Sequence, residues 1–452
     1  MKPNVIIIVF DTLRKDGIRP YNANSPTPSL AEFSKDANVF YNCVAPSPWT
    51  LPSHVSIFTG LYPNEHEIIN SEEFDLGLNL DRAYDRMKEL AGNTLQVALM
   101  KSGYTTYGMT ANPFLSSISG FDQGFDVYQF YDYVGVSSID NIESIKAKYQ
   151  QASAGKVLQT LLSGNISDLS SLYKYYRNQK RHILSKGGLE ITNLLLNTTF
   201  EQPFMLFVNF MEMHEPYDWG EMRYDLINNR IARAIMDAYD IHPYSVRDIH
   251  KFRNLYFNQE ANEIDTLFGR FIEHLKKTAI YDDSIIIVTS DHGQEFKEKG
   301  YYGHGLFLHD EIIKVPLMVK LPGNRKIEKK DGYQSLTSLK EFIIKYLEGS
   351  ATVDLITRDV VFSEESKRMI NLIPVKYREA YEKHSYINVN RKSVFKNGFK
   401  LTVNGDTGTV EEFLLNDLPI SIDNYSTEFS ELVEEIEIFK GNEKFTLPPG
   451  RY

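Results

Sequence analysis

The sequence holds a single cysteine, Cys43, in 452 residues, which excludes an intramolecular disulfide and fits a reducing compartment. It has no stretch near the roughly 18 to 20 apolar residues needed to span a bilayer. The N-terminal apolar run, Val5 to Phe10, is shorter than a signal-peptide core and ends in Asp11. A cytoplasmic chain with no membrane partner is therefore expected. Long blocks of one charge sign are missing too, and the formal net charge of −11 offers no electrostatic grip on nucleic acid. Internal repeats and low-complexity segments are absent. What is present is 42% hydrophobic and 13% aromatic residues, enough to fill a sizeable core and too much for a disordered chain.

Several apolar runs end abruptly in polar clusters. Val5 to Phe10 delivers Asp11; Tyr104 to Thr110 delivers Asn112 and Pro113; Phe204 to Phe210 delivers Glu212, His214 and Glu215; Ile285 to Val288 delivers Ser290, Asp291, His292 and Gly293. Continuous β-branched and aromatic runs of this length suit strands buried on both faces, and open α/β sheets place ligands beyond the carboxyl ends of such strands. A further run, Val315 to Val319, is closed by Pro322 and Gly323. Helix signals fall between the runs: Thr27 as N-cap before Pro28, Thr50 two residues before Pro52, Asn93 to Ser102 closed by Gly103, residues 247 to 277, and residues 336 to 347. Residues 131 to 200 read as a helical insertion whose basic run, Lys174 to Lys186, suits a solvated helix face or a binding patch. Beyond Val360 to Phe362, Ser385 to Val389 and Ser393 to Thr402 read as short strands. Asn397-Gly398 and Asn404-Gly405 are hairpin signals in a small antiparallel sheet, followed by a solvated acidic helix at Glu428 to Glu437. The expected division is a catalytic domain over 1–350 and a smaller α+β subdomain over 351–452.

A carboxylate beside an imidazole at a strand end, Asp291 with His292, suits a metal site as well as an ordinary surface turn. Asp11 reads as a metal ligand or as the cap of the next turn. Thr50 reads as a helix cap, or as a hydroxyl whose alkoxide the helix N-terminus would favour.

Taken together, FDTLRKD near the start, TLPSHVSIFTG at 50 to 60, HEPY at 214 to 217, and SDHG with GHGLFLHDEIIKVPL at 290 to 317 resemble the sulfatase branch of the alkaline phosphatase superfamily. The resemblance implies an α/β fold with a large, mixed but mostly parallel sheet sandwiched by helices. Sulfatases carry Cys or Ser, matured to formylglycine, at the start of an x-x-P-S-R pattern. Thr59-Gly60 fix the register, so Thr50 holds the nucleophile position and His54 the arginine position, while Cys43 lies too early. A threonine cannot become formylglycine. The resemblance therefore moves toward members that use threonine directly, chiefly phosphodiesterases and phosphoglycerol transferases, the latter expected to be membrane-anchored.

By this resemblance Asp11, Thr50, Asp291 and His292 hold one divalent metal. Thr12, where many sulfatases have a second aspartate, is a further departure toward the threonine-using members, and the imidazole among oxygen ligands shifts the expected metal from calcium toward manganese or zinc. His214 and His304 are expected to bind non-bridging oxygens or protonate the leaving group. His54 and Asn112 are assigned to substrate contact. His309 is assigned to the substrate side, as a group supporting the ligands or, with Glu212, as part of a second-metal site. The expected activity is hydrolysis of a small anionic phosphoric ester, a diester or a phosphonate monoester, through a covalent Thr50 intermediate. The alternatives are a sulfatase working without formylglycine and a non-catalytic binding protein of the same fold; a homo-oligomer is left open.

Overall fold

The computed structural model describes residues 2–69, 81–131, 186–218, 245–324, 332–367 and 389–448. Most of the expected 131 to 200 insertion, most of the basic run from Lys174, and the strand expected at 385 to 388 lie outside the described residues.

The main sheet is nine-stranded. Its members in chain order are β1 (Asn4–Phe10), β2 (Ala37–Val44), β3 (Thr105–Thr110), β4 (Val127–Phe130), β5 (Phe204–Phe210) and β6 (Ser284–Thr289). The ribbon β7 (Glu295–Phe296) and β8 (Tyr302–Gly303) intervenes, and β9 (Lys314–Lys320), β10 (Tyr333–Ser335) and β11 (Thr357–Arg358) complete the sheet. Its spatial order is β11-β10-β2-β9-β6-β1-β5-β3-β4, with β6, β1, β5, β3 and β4 running parallel and β9 antiparallel to both β6 and β2. Strands β6, β1, β5 and β3 thus release Ser290–His292, Asp11, Met211–His214 and Asn112 at one edge. Two reversals across β9 turn β2 the same way, so its far end leads into Thr50 at that edge.

Alternate residues of β1 explain the layering. Ile6, Ile8 and Phe10 enter one buried cluster with α1 (Pro28–Asp36), and Val5, Ile7 and Val9 enter another with α2 (Thr50–Thr59). The short helix α3 (Pro63–His66), α4 (Asp81–Leu90) and α5 (Leu95–Lys101) follow α2, and Met87 and Leu95 join its cluster. On the α1 side lie α6 (Gly188–Asn197), α7 (Val246–Asn254) and α8 (Ala261–Lys277); Ile264, Leu267, Phe268, Phe271 and Leu275 of α8 recur at helical spacing as core. A single turn, α9 (Asp310–Ile313), precedes β9, and α10 (Ser338–Leu347) packs with α2. With helices on both faces, the central strands have no polar face to alternate, which is why they read as unbroken apolar runs.

The second sheet is antiparallel: β12 (Val360–Glu365), β13 (Arg391–Lys396), β14 (Phe399–Asn404), β15 (Thr409–Leu415) and β16 (Leu418–Pro419). Asn397, at φ 52°, and Gly398 make the β13–β14 hairpin turn. The acidic helix α11 (Ser426–Lys440) is not wholly solvated, since Phe429, Leu432 and Ile436 pack into this sheet's core. A separate cluster, including Val44, Leu306, Leu308, Val361 and Phe395, joins the two sheets. Among the described residues no helix is long and apolar enough to cross a membrane.

Candidate active site

Asp11, Asp291 and His292 are fully buried at the carboxyl edge of the main sheet and form one of two groups of three ligand side chains among the described residues. Asp11 Oδ2 accepts from Asn112 Nδ2 at 2.7 Å, and Asp291 Oδ1 accepts from the His292 amide at 2.9 Å and the Thr12 amide at 3.2 Å. Their other oxygens, Asp11 Oδ1 and Asp291 Oδ2, are buried with no hydrogen-bond partner. Burial, and then the neighbouring Asp291, raise the pKa of Asp11 to about 6; burial raises that of Asp291 to about 7.

Burial lowers the pKa of His292 and favours the neutral ring. Its Nδ1–H donates to Gly293 O at 3.0 Å, so the Nε2 lone pair faces Asp291 Oδ2 at 3.4 Å and Asp11 Oδ1 at 3.9 Å. Thr50, the first residue of α2, puts Oγ1 3.3 Å from the same Nε2. Two orphaned carboxylate oxygens, a lone-pair nitrogen and a hydroxyl converging in a dry site fit a divalent cation.

The backbone is shaped to bring these groups together. Thr12 is held at φ 60°, unusual for a β-branched residue, and this turns its amide toward Asp291. The Tyr256 hydroxyl fixes that turn by donating to Thr12 O and accepting from the Arg14 amide, each at 2.7 Å. At Gly293 an added Cβ would sit 2.2 Å from Glu311 O, so only glycine lets the 290–293 turn pass beneath α9.

A second group, less buried, consists of His214, Glu215 and His304. The His304 ring stacks on His292 with centroids 4.5 Å apart and meets His214 edge-on at 5.0 Å. His304 Nδ1 bonds to Gln294 Oε1 at 2.7 Å, and His214 Nδ1–H donates to Glu215 O at 2.7 Å. Both histidines therefore border the central group. His309 is placed differently: its Nδ1 pairs with Glu295 Oε2 at 2.5 Å and its ring stacks on Phe307. Glu212 does not join it. Oε1 of Glu212 accepts from the Gly188 amide at 2.7 Å, and burial, followed by Glu263, raises its pKa to about 8.

His54 and Asn112 are fully buried among protein partners. His54 Nδ1–H donates to Thr50 O at 2.9 Å, and its ring packs edge-on against Phe207 and Phe121. Burial lowers its pKa to about 3, so the 3.5 Å approach of Nδ1 to Asp291 Oδ2 is no ion pair. Besides bonding Asp11, Asn112 accepts from the Phe114 amide at 2.9 Å.

Sequence reasoning passed over several contributors. Asn209 brings Nδ2 within 3.4 Å of Asp11 Oδ2 and 3.5 Å of His54 Nε2; as the lone polar side chain in FMLFVNF, it carried a signal. Lys186, the last residue of the basic run, is 1% exposed and not part of a solvated face. Its ammonium donates to Glu212 O at 2.8 Å and to His214 O, tying down the turn that presents His214. No local pattern in the sequence separates it from the rest of the basic run.

Comparison with known proteins places the chain in a family. The sulfatase family model matches residues 3–349. A choline-sulfatase of Rhizobium meliloti is 22% identical over 355 residues, 71% of this chain and 63% of the relative, so this chain spans under two thirds of that protein. An arylsulfatase of Clostridium perfringens is 21% identical over 72% of this chain and 69% of its own. A solved phosphonate monoester hydrolase from Silicibacter pomeroyi superposes with a TM-score of 0.63 at 16% identity, covering 100% of both chains. That of Agrobacterium radiobacter gives 0.60 at 16% identity, over 97% of this chain and 94% of its own. The family model covers well over half of the chain, and the solved structures share its fold: this protein belongs to the sulfatase family.

Proposed function

We propose that this chain is a metal-dependent hydrolase of phosphate esters, acting on a diester or a phosphonate monoester through a covalent intermediate on Thr50. One observation carries the reading. A threonine hydroxyl, which no maturation converts to formylglycine, stands at a helix N-terminus 3.3 Å from the lone-pair nitrogen of His292 and beside two orphaned carboxylate oxygens. The solved neighbours named as phosphonate monoester hydrolases support the substrate class.

A divalent cation held by Asp11, Asp291, His292 and Thr50, manganese or zinc ahead of calcium because one ligand is imidazole, would supply the charge that makes the hydroxyl acidic. The chain's own groups do the rest. Thr50 Oγ1 gives its proton to solvent and attacks phosphorus in line, and the bond to the leaving oxygen breaks as the phosphothreonine ester forms. His214 or His304, on the open side of the site, gives the leaving oxygen its proton. Water then attacks the phosphorus from the vacated side, the same imidazole takes its proton, the bond from phosphorus to Thr50 Oγ1 breaks, and that oxygen regains a proton from solvent. His54 and Asn112 act from beneath, the first on the Thr50 carbonyl and the second on Asp11, so we assign them to positioning. His309, paired with Glu295, supports the His304 loop from behind.

The test is a rate comparison on manganese- or zinc-loaded protein with bis(p-nitrophenyl) phosphate, p-nitrophenyl phenylphosphonate, p-nitrophenyl phosphate and p-nitrophenyl sulfate. Preference for the diester or phosphonate supports the proposal. Preference for the sulfate favours the second reading, a sulfatase working without formylglycine, to which the family match and the sulfatases named among the relatives point.

A further inference from the structure

The loop that carries His304 and His309 is gripped from outside the main sheet. Arg391, on β13, is 1% exposed. It donates from Nη1 to Leu306 O at 2.7 Å, pairs with Glu365 at 3.1 Å and Glu411 at 2.7 Å, and stacks its guanidinium on the Phe307 ring, 4.5 Å from the centroid. Phe307 in turn stacks on His309. Lys400, on β14, is 3% exposed and donates to Leu308 O at 2.7 Å, with Asp310 at 2.8 Å and Glu412 at 2.5 Å as counter-charges. Two buried cations of the second sheet thus bond two carbonyls, two residues apart, in the segment between the histidines.

A buried ammonium or guanidinium is costly unless each of its protons is satisfied, so neither group is placed there by chance packing. Bonds from a charged donor to a carbonyl are also stronger than neutral ones, and spending two on one loop fixes its backbone. The loop has little regular structure of its own between Gly303 and Asp310, and Gly303 and Gly305 both take positive φ. At its near end His304 lies against His292.

We infer that Arg391 and Lys400 are positioning residues for the active site: they hold the 304–309 loop at the distance from Thr50 that the ester requires, which makes the second sheet part of the working enzyme. The inference rests on the proposed role of His304, so its test carries one readout that needs no activity. Lys400→Met is compared with the parent by hydrogen exchange, and the paired variant Lys400→Met/Glu412→Gln, which neutralises one of the two acids beside the missing ammonium while Lys314 still pairs with the other, Asp310, guards against simple misfolding. Exchange in the peptide covering 301–310 should accelerate about tenfold while β1 and β6 keep their protection. Unchanged exchange in that peptide, or acceleration throughout the chain, overturns the inference.

With the ester substrate, kcat should fall on the order of 100-fold at nearly unchanged metal content. The same change in a His304→Ala background should add little further loss, since the group it positions is already gone. Full additivity in that cycle also overturns the inference. Failure of the parent to hydrolyse any of the four esters, with the local acceleration present, sinks the proposed function and leaves the grip on the loop standing.

Discussion

Two sets of acids, Asp11 and Asp291 at the sheet edge and Asp310 and Glu412 at the join between the sheets, are withdrawn from water and treated in opposite ways. At the join the chain supplies its own cations. Burial alone would raise the pKa of Glu412, but Lys400 and Lys299 outweigh it and hold the value down at about 2; Lys400 and Lys314 likewise overcome burial and depress Asp310. At the sheet edge the basic side chains that approach the acids among the described residues are histidines, at 3.4 to 3.9 Å, and burial leaves both carboxyl groups well above their ordinary range. A fold that pairs half-buried acids so fully in one place, and leaves two fully buried oxygens orphaned in another, supports our reading that the second place takes positive charge from outside the chain. The first arrangement pairs its own charges; the second is the donor set that we propose for a cation.

The largest effects should come from breaking the second arrangement. Thr50→Ala should lower kcat roughly 10⁴-fold or more while thermal unfolding stays close to that of the parent, because the mechanism we propose makes the hydroxyl a reacting group and not a support. Wild-type-like turnover would remove it as nucleophile. Asp291→Asn should lose bound metal, read by elemental analysis, and with it at least about 100-fold in rate. The comparison sharpens in metal-free protein, where the same substitution removes an uncompensated buried charge and should raise the melting temperature. Glu412→Gln, by contrast, strips one partner from buried Lys400 and should cost about 2 kcal/mol with metal content unchanged. If both variants move stability in the same direction, the contrast between the two regions is wrong.

Acidity gives a milder version of the same contrast. Asp11 and Asp291 have raised folded pKa values, so in metal-free protein their protonated forms favour folding. That stability is complete below about 4 and is lost as pH rises through about 6 and 7. Glu412 has a depressed value, so its contribution is present above its ordinary 4.5 and is lost as pH falls toward about 2. Metal-free protein should therefore gain stability as the pH is lowered from 8 to 5, whereas metal-loaded protein should lose metal over that range as protons compete for Asp11 and Asp291. Urea melts with and without chelator at several pH values read both trends. Parallel curves would mean that the two carboxylates hold no cation.

The sequence made the centre of the sheet and the chemistry at its edge legible for one reason. Strands covered on both faces are almost wholly apolar, so Asp11, His214 and Asp291-His292 stand out where VIIIVF, FMLFVNF and SIIIVT stop. β2 was not legible, because ANVFYNCV interrupts its apolar pattern with exposed Tyr41 and Asn42 and follows α1 without a turn. β10 and β11 are three and two residues long, too short for any period to show. The partners within the site were hidden for another reason. Asn112 meets Asp11 across 101 residues, and Arg391 meets Leu306 across 85, pairings that only the closed sheet order creates. Residue type at a strand end predicts chemistry; which neighbour holds it still is a property of the whole fold.

Cys43 gives the smallest expected effect and separates nucleophile identity from mere proximity. It lies on β2, fully buried, level with Val315 of β9 and Gln334 of β10, and burial pushes its thiol well above the ordinary range. A thiol so protected is inert toward esters and closed to a maturing enzyme in the folded protein. Cys43→Ala should then cost core packing, about 1 kcal/mol by the scale of small cavities, while kcat and metal content stay within about twofold of the parent. That factor corresponds to less than half of 1 kcal/mol in the barrier and is too small for a lost reacting group. A large loss of turnover with an intact fold would reopen the case for a cysteine-derived nucleophile and overturn the assignment of Thr50. If only stability moves, the reactive oxygen belongs to the metal-ready edge of the sheet, and the cysteine belongs to the core.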